Sequence, residues 1–259
     1  MDILYALILG IVEGLTEFLP VSSTGHLILT SYLLGLTQDD SHKAFEIIIQ
    51  LGSILAVLFV YWEKLFYQSW ALLTKLAIGF LPAGILGFLF YSIIKTLFSP
   101  VVVSVSLIIG GIVFIVIEYF YKEKKHHLQD ISEISYFQAL CIGFFQALAM
   151  IPGTSRSGAT IIGGLLLGCS RKVATEFSFL LALPTMVVAS IYALYKNYEE
   201  FRVDDMLVLG VGFGVAFLSA LVAIRVFLGF VSRFNFIPFG IYRILLGIVF
   251  LYYYDSLIV

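Results

Sequence analysis

Glu13-Gly-Leu-Thr-Glu17-Phe-Leu-Pro20-Val-Ser-Ser23-Thr-Gly-His26 interrupts an otherwise apolar stretch. At an offset of 133 positions, Gln146-Ala-Leu-Ala-Met-Ile-Pro152-Gly-Thr-Ser-Arg156-Ser-Gly158 interrupts another in the same way. Charged and hydroxyl side chains inside apolar segments are costly at membrane depth, so they face one another, a cavity or a substrate. The pairing of the two loops predicts where such a site lies, and their residue types predict what it handles.

The surroundings of these loops set the fold class. Of the 259 residues, 61% are hydrophobic and 12% charged, and the mean hydropathy is +1.04, far above a soluble domain of this length. Apolar runs of roughly 20 residues, enough to cross a hydrocarbon core as helix, recur along the whole chain. They leave no room for a soluble domain and predict one membrane domain over 1–259. They are also too long and too continuous for the ~10-residue alternating strands of an outer-membrane barrel. The expected class is an all-α polytopic membrane protein. Met1-Asp-Ile-Leu-Tyr5 has no basic region and no cleavage pattern behind it, so the first apolar segment is expected to stay. Cys141 and Cys169 sit in apolar surroundings without metal-ligand spacing and read as small buried hydrophobes. With a net charge of −2 and no basic tract interleaved with aromatics, nothing points to nucleic acid; membrane lipid is the expected environment.

The repeat extends well beyond the loops. The offset of 133 aligns Gly10 with Gly143, Leu15 with Leu148, Ser22 with Ser155, Gly25 with Gly158, Leu33-Leu34-Gly35 with Leu166-Leu167-Gly168, and Gly79-Phe80 with Gly212-Phe213. Gly111-Ile-Val-Phe114 returns as Gly247-Ile-Val-Phe250, at 136. Ordered matches of this kind indicate a tandem repeat: repeat one at 1–121, a charged linker at 122–133, and repeat two at 134–259. Each half opens with two short apolar segments, 2–18 and 23–36 or 135–151 and 157–169. Three longer ones follow, 43–62, 71–92 and 99–121 or 173–195, 205–231 and 237–254. That predicts about ten helical segments, six of them full spans, with each short pair forming a re-entrant helical hairpin whose tip is satisfied by surrounding protein. Three spans per half is an odd number, so the second half enters from the opposite side. The expected arrangement is an inverted-topology repeat whose broken segments meet near the midplane, as in many secondary transporters.

Loop charges orient the chain. A cytoplasmic linker places Lys64, Lys122, Lys124, Lys125, Arg171, Lys172 and Arg233 inside, against Lys43, Lys95, Lys196 and Arg202 outside, seven to four. The outer side also carries Asp39, Asp40, Glu199, Glu200, Asp204 and Asp205, which the rule does not count. Both termini are then expected outside.

Glu13 and Glu17 are four apart, which stacks two carboxylates on one helix face and demands a cation or a shared proton. Arg156 or a divalent metal would serve. Pro20 ends the first short helix, and Ser22, Ser23 and Thr24 are suited to the start of the next, a positive helix end that binds phosphate well. His26 follows within reach, a candidate nucleophile, acid or base near neutral pH. In the second loop, Thr154, Ser155, Ser157 and Gly158 surround Arg156, a composition suited to a phosphate cradle with a bidentate clamp. Glu46 and Gln50 are weaker candidates, and snorkelling is the ordinary explanation for Glu176, Arg225 and Arg243 near span ends. The 15 Tyr and 24 Phe are expected mostly at lipid-facing or interfacial positions.

Together with Phe45-Glu-Ile-Ile-Ile-Gln-Leu-Gly-Ser-Ile-Leu-Ala-Val57, Pro152-Gly-Thr-Ser-Arg-Ser-Gly-Ala-Thr160 and Glu176-Phe-Ser-Phe-Leu-Leu-Ala-Leu-Pro184, the first loop closely resembles the bacitracin-resistance family of undecaprenyl-diphosphate phosphatases, essentially end to end. The resemblance implies a bacterial inner-membrane enzyme that converts the lipid diphosphate to the monophosphate carrier used in peptidoglycan synthesis. It also implies an interdigitated inverted-repeat fold with two re-entrant hairpins, an active site open to the outer face, and a divalent cation, magnesium or calcium, which Glu13 and Glu17 could hold. Ser23 or His26 matches the family's nucleophile. Ser23 is the favoured one, with His26, Glu13 and Glu17 handling protons and Arg156 holding phosphate. Ser-Thr-Gly-His26 and Ser-Arg156 also resemble fragments of the phosphatidic-acid-phosphatase type 2 pattern. That pattern requires a His six residues after the Arg, where Ile162 stands. A reading of a different class is a lipid-carrier transporter or flippase using the same midplane cavity, alone or alongside hydrolysis. The oligomeric state, monomer or homodimer, and the preferred prenyl chain length stay open.

Overall fold

Proline and glycine divide each half into short helices first and long ones after. The computed structural model describes residues 2–37, 39–67, 70–124, 127–196 and 206–253. The first half runs α1 (Ile3–Thr16), α2 (Ser23–Leu33), α3 (Asp40–Tyr67), α4 (Trp70–Leu89), α5 (Tyr91–Thr96) and α6 (Pro100–Phe120). After a 3-10 turn at Ile131–Glu133 come α7 (Tyr136–Leu148), α8 (Arg156–Leu166), α9 (Arg171–Lys196), α10 (Met206–Val231) and α11 (Ile237–Tyr252). All eleven are α-helices, and among the described residues there is no strand beyond one isolated bridge between Leu128 and Cys169. Lys125, Glu199, Glu200, Arg202, Asp204 and Asp205 of the charge count lie outside the described residues, as do the side chains of Asp40, Lys95 and Lys196.

The four short helices have 14, 11, 13 and 11 residues. At 1.5 Å per residue none reaches the ~30 Å of a hydrocarbon core. Each pair breaks at matching positions. Ser22 (φ 70) and Ser155 (φ 72) begin the second short helices and are, among the described residues, the only non-glycine residues with positive φ. The second short helices then end at Gly35 (φ 67) and Gly168 (φ 86), the left-handed C-terminal position that glycine occupies without penalty.

Five helices are long and apolar enough to cross a membrane: Ser41–Phe66, Trp70–Leu89, Pro100–Phe120, Arg171–Tyr192 and Met206–Val231. The chain is a multi-pass membrane protein. The expected sixth span is α11, with 16 residues shorter than the other five. The extra helix α5 occupies the connection between α4 and α6, a stretch with no proline, glycine or polarity break to mark it off from the apolar run before it.

Each half's first helix packs on a helix of the other half, α1 on α10 and α7 on α4. Glycines permit the approach. A Cβ at Gly10 would lie 2.8 Å from the Gly212 carbonyl oxygen, and one at Gly143 would run into the Gly79 carbonyl; 10 and 143, and 79 and 212, are the aligned repeat positions. The α6–α11 pair does the same: a Cβ at Gly111 would lie 2.5 Å from Gly240 O, and one at Gly247 2.8 Å from Ser104 O. Every one of these contacts therefore has a counterpart with the halves exchanged.

The end of the molecule nearest the linker is closed by ion pairs. Arg171 grips Glu118 through Nε (2.9 Å) and Nη2 (2.6 Å), and Glu118 also accepts from the Phe236 amide at 3.1 Å. Lys64 reaches Glu176 at 2.8 Å, and Lys75 donates to Ser132 O at 2.7 Å. Glu176 thus holds an ion pair between α3 and α9 instead of snorkelling, whereas Arg225 is exposed. The aromatic expectation also needs correcting. Many Phe and Tyr do face outward, but Phe18, Phe114, Phe177, Phe179, Phe236 and Phe250 are fully enclosed, because the short hairpins need large side chains packed around them.

Two outcomes test this packing. Gly143→Val is expected to destabilise by about 1–3 kcal/mol or more, because backbone stands in the way of its Cβ. Gly214→Ala, where nothing lies within 4 Å, should unfold in detergent no earlier than the parent, since alanine favours a helix interior. Burial pushes the Cys169 thiol up to about 12. Since the thiolate is the reactive form, maleimide should label Cys169 at neutral pH only after denaturation.

Candidate functional site

α1 ends at Thr16, leaving Glu17 as its C-cap residue at the mouth of the first tip. Four residues earlier Glu13 is enclosed in the helix interface, 1% exposed. Ser22 begins α2 without a side-chain capping bond, so no hydroxyl closes that positive helix end. At the matching place in the second tip Ser155 does cap its helix, accepting from the Gly158 amide at 3.1 Å. One tip is therefore open to an anion and the other is closed by its own serine.

The tips meet side by side. Ser23 Oγ donates to Glu17 Oε2 at 2.6 Å, and Arg156 Nη2 donates to Glu17 Oε1 at 2.9 Å. Arg156 Nη1 donates to Ser178 O of α9 at 2.9 Å, and its guanidinium lies 5.7 Å from the Phe18 ring centre. A cavity of about 190 Å³ opens beside this chain. Its polar wall is Glu17, Ser22, Ser23, Thr24, Gln50, Ser155 and Arg156, and its apolar wall includes Phe98, Met150 and Met186.

The remaining sequence-predicted residues stand behind that wall. Ser157 Oγ donates to Leu19 O of the other tip at 2.8 Å and contacts Ser155 Oγ at 3.1 Å. Gly158 is buried against Phe114 and Arg243, and Thr154 is half-buried beside the cavity residues. His26 lies one turn into α2. Its Nδ1 is 2.8 Å from Ser22 O and its Nε2 is 2.6 Å from Tyr242 Oη, the rings stacked at 5.5 Å. Because a carbonyl only accepts, Nδ1 carries the proton toward Ser22; the neutral ring then accepts from the tyrosine at Nε2.

Glu13 is the anomaly. Both carboxylate oxygens are buried without a hydrogen-bond partner, and the charges acting on it are Glu17, Glu46 and, of opposite sign, Arg156. Of the two carboxylates Arg156 bonds only Glu17, so Glu13 lacks the compensation its burial demands. Glu13 and Glu17 present hard, anionic oxygen donors, which suit magnesium or calcium. Among the described residues no cluster of three or more such groups exists, so this pair would need water or substrate oxygens to complete a coordination sphere, as magnesium sites usually do.

Two residues of this region were underrated from sequence. Gln50, one turn beyond Glu46, lines the cavity. Arg243 does not snorkel: it is 0% exposed and bonds main-chain carbonyls of both tips.

Fold and cavity together define a multi-pass helical membrane protein with a carboxylate–hydroxyl–guanidinium site between two helical hairpins. The family model for bacitracin resistance protein BacA matches residues 6–249, and the chain belongs to that family. Among its relatives, the undecaprenyl-diphosphatase of Wolinella succinogenes is 62% identical over 257 residues, covering 98% of this chain and 99% of that protein. That of Persephonella marina is 62% identical over 251 residues, with 97% and 98% covered. That of Methanococcus aeolicus is 51% identical over 254 residues, with 98% and 99% covered.

The Glu17–Arg156 pair, with side chains 5% and 13% exposed, makes a prediction independent of activity. Arg156→Met should cost about 3–5 kcal/mol by stranding a buried carboxylate, and adding Glu17→Gln should recover much of it. Additive losses in a double-mutant cycle of thermal stability would show that the pair is not coupled.

Proposed function

We propose that the protein hydrolyses undecaprenyl diphosphate to undecaprenyl phosphate and inorganic phosphate, which recycles the lipid carrier for peptidoglycan synthesis and confers resistance to bacitracin. The observation that carries the residue assignment is the continuous chain Ser23 Oγ, Glu17 carboxylate, Arg156 guanidinium across the two tips, placed on a cavity wall in a chain of this family.

In this reading the terminal phosphate sits between Arg156 and the uncapped start of α2, where amides and guanidinium offset its charge. Ser22 and Thr24 on the wall supply further donors. Glu17 takes the Ser23 proton as Oγ attacks the terminal phosphorus; the bond to the bridging oxygen breaks, and undecaprenyl phosphate leaves with that proton. Water then attacks the phosphoserine, giving its proton to Glu17; the phosphorus–Oγ bond breaks, Glu17 passes that proton to Ser23 Oγ, and inorganic phosphate is released. Ser23 is favoured over His26 as nucleophile because Ser23 lines the cavity, whereas His26 does not and both its nitrogens are engaged. His26 holds the Ser22 carbonyl and so the backbone bend beside the nucleophile. Thr154, Ser157 and Gly158 shape the second tip. A magnesium or calcium ion held by Glu13 and Glu17 would offset charge on the phosphoryl oxygens.

The same reading takes the halves, 1–121 and 134–259 about a linker at 122–133, as an inverted-topology repeat with two re-entrant hairpins and α11 as a sixth span. Exchange-related glycine contacts and hairpin helices too short to cross support it. Phe98, on the side of the cavity remote from the linker, supports an opening on that side. With the linker cytoplasmic by the positive-inside rule, the site opens outward and both termini lie outside, in a bacterial inner membrane.

Purified protein in detergent should release phosphate from the lipid diphosphate without any gradient, which separates an enzyme from a transporter. Ser23→Ala and Arg156→Ala should each lower kcat by about 10²–10³-fold or more, and acid quenching should trap phosphate on Ser23. Chelation should abolish turnover and magnesium or calcium restore it. Full activity in Arg156→Ala would overturn the site assignment.

A further inference from the structure

Arg243, on α11, is the largest fully enclosed side chain among the described residues, and no carboxylate pairs with it there. Its guanidinium is spent on four main-chain carbonyls: Pro20 O through Nη1 at 3.2 Å, Gly153 O through Nη2 at 3.0 Å, Ser106 O through Nη2 at 3.2 Å and Leu107 O through Nε at 3.4 Å. Pro20 and Gly153 are the same position in the two repeats, 133 apart, and each lies three residues before a key site residue, Ser23 or Arg156. Ser106 and Leu107 belong to α6, which packs on α11 at glycine contact distance. Glycines make the space: Cβ atoms at Gly110 and Gly158 would run into the guanidinium, the latter 3.0 Å from Nη1.

A methionine would end near the position of Nε, leaving the guanidinium's space empty and the four carbonyls without a donor. A buried charge met by neutral carbonyls and the Phe114 ring, 5.9 Å away, but by no carboxylate is costly, and the one thing its fork does that an apolar side chain cannot is hold two separate chain segments at a fixed spacing. We propose that Arg243 is a positioning residue for the hydrolysis described above: it hangs both hairpin tips from the α6–α11 pair and so sets the spacing of Ser23 and Glu17 against Arg156. The inference rests on that site reading, since it takes Ser23 and Arg156 as the groups whose spacing matters. A second tether runs in parallel, the Ser157 hydroxyl on Leu19 O.

Displacement of a reacting group by about 1 Å can cost roughly 10²-fold in rate. Arg243→Met is therefore expected to lower kcat by about 10²-fold with KM within about threefold, and Arg243→Lys, which keeps the charge but loses the fork, to fall between. Combining Arg243→Met with Ser157→Ala should cost more than the product of the single losses, because the two tethers share one job. Tip spacing is read separately, without substrate, as the distance between spin labels on cysteines at 24 and 154, with Cys141 and Cys169 replaced by alanine. The distribution should broaden in Arg243→Met and Arg243→Lys. An unchanged distribution, kcat within about twofold in both variants, or a loss carried wholly by KM would overturn the proposal. If Arg243→Met does not fold, Arg243→Lys decides by the same two readouts. Broadening with full activity in Arg156→Ala would instead mean that the clamp exists and the site reading is wrong.

Discussion

The structure depends on the bond between Glu17 and Arg156. A carboxylate or a guanidinium alone at membrane depth costs several kcal/mol, and each of the two finds its opposite charge on the other hairpin. Two broken segments from different halves must therefore meet tip to tip, and the rest of the packing serves that meeting. The ion pair is partly uncovered toward the cavity, so an incoming anion can share Arg156 without first breaking a sealed contact. The same bond turns Glu17 so that its second oxygen faces Ser23.

Bringing the tips together requires backbone to approach backbone, and small residues are the means. Gly10 against Gly212 and Gly143 against Gly79 let α1 and α7 lie directly on helices of the opposite half, as expected where lipid offers no hydrophobic drive and close packing supplies the attraction. The frame is paired across the two halves while the residues it carries are not. Ser22 and Ser155 share a left-handed backbone, but Glu13, Ser23 and His26 face Gln146, Arg156 and Ala159 at the equivalent places. Gln146 bonds Thr185, whereas Glu13 is left without a hydrogen-bond partner.

Much of this was legible in the residues. The short–short–long–long–long order follows from proline, glycine and apolar length, and the hydroxyls beside Pro20 and Pro152 mark the tips. Arg243 was not legible, because an arginine near a span end is ordinary; only the tertiary arrangement shows two tip carbonyls converging on it. Gly110 and Gly158 were the available hints, each a missing side chain whose reason lies elsewhere in the chain. Ser157 escaped for a related reason: a serine beside Arg156 suits a phosphate cradle, and nothing local says that its hydroxyl is committed to Leu19 O. The helix α5 and the ion pairs of Glu176 and Glu118 likewise depend on partners far away in sequence.

The crossing of the halves has a consequence for how the protein is made. α1 leaves the ribosome well before its main partner, α10. The first hairpin is too short to span the bilayer and carries Glu13 and Glu17, so during synthesis it has neither a helix to lie on nor a guanidinium to pair with. Stable seating of that hairpin must therefore wait for the second half, so the site is assembled late however early its first carboxylates are made.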